Sequence, residues 1–324
     1  MKPGTENMDE INFYSDDDRC AAWHFAARSE AFLDAKGQPC VVMAPGFAST
    51  RDTGGLLAYA EGLAAAGLNV LLFDYRGFAA SEGSPRQLVS AARQRRDYHA
   101  AIAAARRLPG VDSERIVLWG ISNSGGHVIR VAAEDGRVAA LVSVTPAVDG
   151  VAVIAQLARN AGVLHLFRIT AHGLRDAVRG LTRRAPHLVP VMGEPGSRAI
   201  IAKHGAEQDY LPLTGPSWRN EVCARTALEV GFNRPITFAS RVSCPLLVQA
   251  GTADTITPPA RTRQAAARAR RGELLEYPID HLDAETLPAQ QDLLADQIEF
   301  LCRHMAPAAS HQAATTTNTD WNHQ

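Results

Sequence analysis

Short, continuous apolar runs alternate with Ala-rich segments of helical pattern along most of this chain, and that alternation constrains its fold more than any other feature. The runs fall at 41–44, 69–73, 115–119, 138–144 and 245–250, and 273–277 reads as a further strand. The segments between them, at 55–67, 88–108, 124–134, 259–271 and 287–304, read as helices. A strand without polar alternation is buried on both faces, which requires a parallel sheet covered by helices on each side. The segments near 11–14 and 19–27 fit an antiparallel edge. Between 147 and 240 the rhythm stops. That stretch reads as mostly helical, without a clear strand, and the alternation resumes after it. The expected architecture is therefore α/β: a mostly parallel sheet flanked by helices, built from residues 1–146 and 241–305, with a helical cap inserted at 147–240. The polar tail 306–324 reads as disordered.

Composition narrows the function classes. The 324 residues carry a formal net charge of −1, with 46% hydrophobic and 21% charged residues. That balance gives no reason to expect a nucleic-acid or anionic-membrane partner. Cys20, Cys40, Cys223, Cys244 and Cys302 are scattered, with no Cys-x-x-Cys pair, which fits a reducing, cytoplasmic compartment better than a disulfide framework or a zinc site. Cys40 and Cys244 open apolar runs and read as buried thiols. The polar, acidic N-terminus does not read as a signal peptide, and no apolar run nears the ~20 residues that span a bilayer.

The chemistry concentrates at Gly120-Ile-Ser-Asn-Ser-Gly-Gly126, a tight turn between the run 115–119 and a helix. Strand, Gly-rich turn with a serine, and helix describe a nucleophile elbow. The serine needs a strained backbone to lift its Oγ above the sheet. Positions two before and two after it must be small, because strand and helix nearly touch there; around Ser122 these are Gly120 and Ser124. Such turns also bind phosphates in dinucleotide folds. Here the turn follows a middle strand, and no acid stands ~20 positions on at a strand end, as a dinucleotide site requires.

A serine nucleophile needs a base, and the base an orienting acid, in the chain order Ser, Asp or Glu, His. Asp254 follows the run 245–250, and His281 lies in the loop after the run 273–277. Both fall at the carboxyl ends of strands, where open α/β sheets collect ligands. Asp254 could instead cap the helix near Pro258, and Asp149 is the runner-up acid. His127 and His304 sit inside helical segments and are poorer bases. The oxyanion donors expected are the backbone N–H of Asn123, at the positive end of a helix, and that of Phe47, in the loop Ala44-Pro-Gly-Phe-Ala48. Gly46 is expected to allow an unusual backbone angle there.

These stretches together resemble the α/β-hydrolase superfamily over roughly residues 12–305. They are APGF (44–47), FDYRGFAASEG (73–83), LWGISNSGG (118–126), GTADTITPP (251–259) and the loop around His281. The central segment and the fused cap look most like dienelactone-hydrolase-like and X-prolyl-peptidase-like serine hydrolases, some of which act in secondary metabolism. The resemblance implies Ser122 as nucleophile, His281 as base, Asp254 as acid, and Phe47 and Asn123 as oxyanion donors. Two departures stand out: Pro45-Gly46 where relatives often have His-Gly, and Gly77-Phe78-Ala79 where they often have GFG, which suggests a different turn near the pocket rim.

The function expected is hydrolysis of a carboxylic ester or thioester through an acyl-enzyme, with no cofactor and no metal. Its partner would be a small-molecule acyl substrate, and a homodimer is left open. A peptidase or amidase shares the same chemistry, as does acyl transfer or C–C cleavage on a polyketide-like molecule. A pseudo-hydrolase that only binds ligands is the non-enzyme alternative. The cap holds Arg175, Arg179 and Arg183 at helical spacing, with Arg168 and Arg184 near them. They form either a solvated basic face or a surface for an anionic carrier or carboxylate. Val148–Leu157, with Leu164, Leu166 and Phe167, either lines an acyl pocket or packs the cap.

Overall fold

The computed structural model describes residues 8–307. Eight strands form one sheet: β1 (Met8–Ser15), β2 (Asp18–Phe25), β3 (Gln38–Ala44), β4 (Asn69–Phe73), β5 (Val111–Ile121), β6 (Ala140–Val144), β7 (Leu246–Gly251) and β8 (Gly272–Tyr277). Their order across the sheet is β1-β2-β4-β3-β5-β6-β7-β8. β1 and β2 run antiparallel to their neighbours, and every pair from β4 onward is parallel. The antiparallel edge and the parallel body are as the sequence implied. The tail expected to be disordered falls outside the described residues, apart from Ala306 and Pro307.

The apolar runs are continuous because both faces of the sheet are covered. Every residue of β4, β6 and β7 is buried. On one face lie α1 (Gly54–Ala66) and α7 (Ala289–Met305), which pack Leu56, Tyr59, Leu63, Leu293 and Phe300 onto the strands. On the other lie α2 (Ala91–Ala105), α3 (Asn123–Glu134) and α6 (Pro259–Arg268), which contribute Tyr98, Ile102, Val128, Ile129 and Ala265. Several polar residues inside these layers are paired, as burial demands. The Ser143 hydroxyl donates to the Gly125 carbonyl (2.8 Å), and Gln249 donates to the Leu293 carbonyl (2.9 Å) and accepts from Gln297 (2.7 Å).

The cap lies between β6 and β7. Its first half is a bent helical pair, α4 (Gly150–Ala161) and α5 (Val163–Leu181), hinged at Gly162 with φ 84°. No single helix among the described residues is long and apolar enough to cross a membrane; α4 and α5 reach that only together, across a bend of 119°. The second half departs from the helical expectation. Residues 182–240 are loops, one-turn helices and four two-residue strands, paired as Val222–Cys223 with Leu188–Val189 and Met192–Gly193 with Ile201–Ala202. What holds this half is its bonding to the core. Trp218 Nε1 donates to the Ala48 carbonyl (3.1 Å), and the Ser217 N–H donates to Asp52 (2.9 Å). Gln87 Nε2 donates to the Glu221 carbonyl (2.8 Å), and the Thr226 hydroxyl donates to the Val89 carbonyl (3.0 Å). Such partners lie far away in sequence and leave no periodic trace.

Strand and helix approach each other very closely at the turn between β5 and α3. A Cβ on Gly120 would fall onto the carbonyl of Ser124 and within 2.7 Å of the Gly125 nitrogen. Both obstacles are backbone and cannot step aside. Gly120→Ala is therefore expected to cost more than ~4 kcal/mol, read as a collapse of soluble yield or of Tm. A variant with wild-type Tm would show that the turn can relax.

Candidate active site

Ser122 occupies the turn at φ 55° and ψ −116°, a backbone conformation that L-residues rarely adopt. Neighbouring bonds hold it there. Its N–H donates to the Val144 carbonyl (2.9 Å), and its carbonyl accepts from Ala147 (2.8 Å) and Gly126 (3.2 Å). Ser124 stands where glycine is usual, and its hydroxyl explains the exchange. Fully buried, it lies 2.9 Å from the carbonyls of Ala44 and Ile121 and accepts the Ile121 N–H (3.0 Å), tying β3, β5 and α3 together.

His281 and Asp254 come from the loops after β8 and β7. His281 Nε2 is 2.9 Å from Ser122 Oγ, and its Nδ1 is 2.8 Å from Asp254 Oδ2. Beside a carboxylate, Nδ1 must carry the proton, which leaves Nε2 to accept from the serine hydroxyl. Three residues far apart in sequence thus form one relay. Burial alone would push the imidazole pKa down. The charge and hydrogen bond of Asp254, aided by the charges of Glu285 and Asp280, outweigh it and hold the pKa above its ordinary value. Glu285 has its own carboxyl pushed up to about 7 by desolvation, with His281 opposing.

Asp254 does not cap the helix after it. Its Oδ1 accepts the N–H groups of Ile256 (2.8 Å) and Thr257 (2.6 Å), which shapes the turn before α6, and the Thr257 hydroxyl donates to Oδ2 (2.6 Å). Thr257 was not singled out from the sequence; a hydroxyl three residues past the acid, just before Pro258-Pro259, was the available signal. Asp149, the runner-up, is used elsewhere. It caps α4 through the Val151 N–H (3.2 Å) and pairs with Arg234 (3.0 Å). His127 lies behind Asn123, its Nε2 3.1 Å from Asn123 Nδ2 and 3.0 Å from Gln94, and burial drops its pKa to about 3. His304 pairs with Glu273 (3.2 Å).

Phe47 and Asn123 line the same cavity as Ser122. Asn123 is the first residue of α3, so its N–H has no partner within the helix. Gly46 brings its loop against the elbow: a Cβ there would sit 3.5 Å from the Ser122 Cβ. The unusual angle expected at Gly46 belongs instead to Ala48, with φ 51°. Close approach, rather than conformational freedom, is what glycine provides at 46. Ala79 takes φ 39°, so alanine keeps a left-handed turn where glycine was expected.

The cavity measures about 1010 Å³ including its open mouth. Val153, Ile154 and Leu157 of α4, with Ile169 of α5, Ile200 and Ile201, form apolar walls, and Glu229 is the lone carboxylate lining it among the described residues. The Ser90 hydroxyl donates to that carboxylate (3.0 Å). The α4 part of the apolar segment therefore lines the pocket, whereas Leu164 and Phe167 face solvent at 63% and 69% exposure. None of Arg168, Arg175, Arg179, Arg183 and Arg184 lines the cavity.

A family model described as "Serine aminopeptidase, S33" matches residues 35–278. The chain belongs to this family. It is a serine hydrolase of the α/β-hydrolase fold, esterase- or thioesterase-like. The hydrolase is 33% identical over 296 residues to the quorum-quenching protein AidA of Acinetobacter baumannii, covering 91% of this chain and 94% of that one. It is 32% identical over 206 residues to the thiohydrolase aneE of Aspergillus aculeatus, covering 59% and 61%. Among solved structures, that of DcsB in complex with its substrate analogue superposes with a TM-score of 0.77 at 23% identity, covering 92% of this chain and 99% of that one. At that identity the likeness speaks for the fold.

Proposed function

We propose that the hydrolase cleaves an ester or thioester of an apolar acyl group through an acyl-enzyme on Ser122. The observation that carries this reading is the relay from Asp254 through His281 to Ser122, with bonds of 2.8 and 2.9 Å. His281 Nε2 takes the hydroxyl proton as Oγ attacks the acyl carbonyl. The N–H groups of Phe47 and Asn123 receive the oxyanion, each worth ~2.7–4 kcal/mol in the transition state. His281 then passes the proton to the departing alcohol or thiol. Water enters, gives its proton to His281, and releases the acid. Asp254 keeps its hydrogen bond to Nδ1 and fixes the tautomer throughout.

The aliphatic walls of the cavity support an apolar acyl group, since such walls reward each buried CH₂ by about 0.8 kcal/mol. The similarity to a protein named as a thiohydrolase supports a thioester as well as an ester. A second reading, aminoacyl amides, is favoured by one feature: Glu229 offers a carboxylate to a substrate amine.

A panel of p-nitrophenyl esters, acyl thioesters and aminoacyl amides, run with fluorophosphonate labelling, separates the two. Turnover of esters and thioesters that rises with acyl length, with the label on Ser122, is the expected result. Activity confined to the amides would overturn the ester reading. Because His281 acts only when neutral, and its pKa is held above the ordinary ~6.5, kcat/KM should fall as pH drops through that raised value.

A further inference from the structure

We propose that Asp280 is a positioning residue for the reaction, and that Lys203, from the cap, is its counter-charge; with Thr255 they form a latch that sets the spacing between the loops carrying Asp254 and His281. The inference rests on the proposed roles of those two residues and adds the cap to the machinery that orients them.

Asp280 and Thr255 each adjoin a member of the relay, and they bind each other. Asp280 Oδ1 accepts the Thr255 N–H (2.8 Å), the Thr255 hydroxyl (2.9 Å) and the N–H of His281 itself (2.7 Å). One carboxylate oxygen therefore clamps the residue after Asp254 to the backbone of His281. Oδ2 lies 2.8 Å from Lys203 Nζ and 3.0 Å from the Thr255 hydroxyl, and Nζ is also 3.1 Å from that hydroxyl. Burial works against an ionised Asp280, but the Lys203 ammonium and the N–H donors hold its pKa at about 2. The cap reaches the same point a second time, where Asn160 Nδ2 at the end of α4 donates to the Thr255 carbonyl (2.8 Å).

Two consequences follow. Lys203, Thr255 and Asp280 do not line the acyl cavity, so loosening the latch should disturb the chemical step more than substrate binding. The latch also holds a balanced pair of charges near the imidazole. Asp254, Glu285 and Asp280 all favour the imidazolium, and Lys203 offsets Asp280. Removing Lys203 leaves the Asp280 charge uncompensated and raises the His281 pKa. Neutralising Asp280 leaves Lys203 unpaired and lowers it.

The test is the pH profile of kcat/KM on a p-nitrophenyl ester for the full-length wild type, K203M, K203R, D280N and K203M/D280N. The acid limb should move up in K203M and down in D280N, each by on the order of 0.5–1 pH unit. K203R and the double variant should return it near wild type. In K203M and D280N kcat should fall on the order of 10–100-fold, with KM changed less than about twofold. Variants that lose activity with the limb unmoved, or that move it in the same direction, would overturn the latch and leave a scaffold role. If D280N does not fold, K203M and K203R carry the test alone. A wild type that labels at Ser122 and hydrolyses esters, with unshifted variants, defeats the latch only; a wild type that does neither defeats both readings.

Discussion

Ser122→Ala is expected to lower kcat on the best ester or thioester by ~10⁵–10⁶-fold while leaving Tm unchanged. Alanine keeps the Cβ, so the strained backbone at φ 55° and the bonds to Val144, Ala147 and Gly126 are the same in both proteins. What goes is the atom 2.9 Å from His281 Nε2. The polarised cavity and its N–H donors remain, so some acceleration over water should survive, on the order of 10³–10⁴-fold. Stopped assays at high enzyme concentration, with fluorophosphonate labelling alongside, read both quantities. Turnover near wild type would mean that another group attacks the carbonyl.

Asp254→Asn should cost on the order of 10⁴-fold in kcat, again without unfolding. The neighbours of Asp254 dictate how the amide sits. Its oxygen is claimed by the N–H groups of Ile256 and Thr257, at 2.8 and 2.6 Å. The NH₂ must then take the Oδ2 position, facing His281 Nδ1. A donor there forces the proton onto Nε2, where it meets the serine hydroxyl and blocks the transfer. The lost carboxylate charge also lets the imidazole pKa fall, so the acid limb of the residual activity should shift down. Asp149→Asn, which loosens the α4 cap and the Arg234 pair, should leave that limb in place. Equal effects of the two substitutions would remove Asp254 from the relay.

The parts of the molecule that could be read from the sequence are those governed by local rules. Strands β3, β4, β6 and β7, with the second half of β5, announce themselves as unbroken apolar runs because both faces are covered, whereas the edge strand β8 carries two glutamates and stays part-exposed. The elbow is legible because sterics force small residues at 120 and 124, and Asp254 and His281 are legible because strand ends converge on one edge. The second half of the cap is not, since 182–240 takes its shape from bonds such as Trp218 to Ala48 that carry no period. The latch escaped for the same reason. Lys203 and Asp280 are 77 residues apart, and only the acid immediately before His281 hinted at it. Of the two readings of the cap arginines, the solvated face fits their placement: Arg168, Arg175, Arg183 and Arg184 are exposed, and none lines the cavity.

The cap's unequal attachment bears on how such an enzyme changes over time. Residues 182–240 are sewn into the core at 48, 52, 87 and 89, through main-chain carbonyls at 48 and 89 and side chains at 52 and 87, so this portion is not an interchangeable cassette; borrowing it from a cousin would require borrowing those loops too. The α4–α5 arm is joined through the Gly162 hinge and presents its inner residues to the cavity. Diversification of diet among descendants of this scaffold should therefore be written most freely along that arm, and at Ile200, Ile201 and Glu229 only as side-chain exchanges that keep the stitched frame.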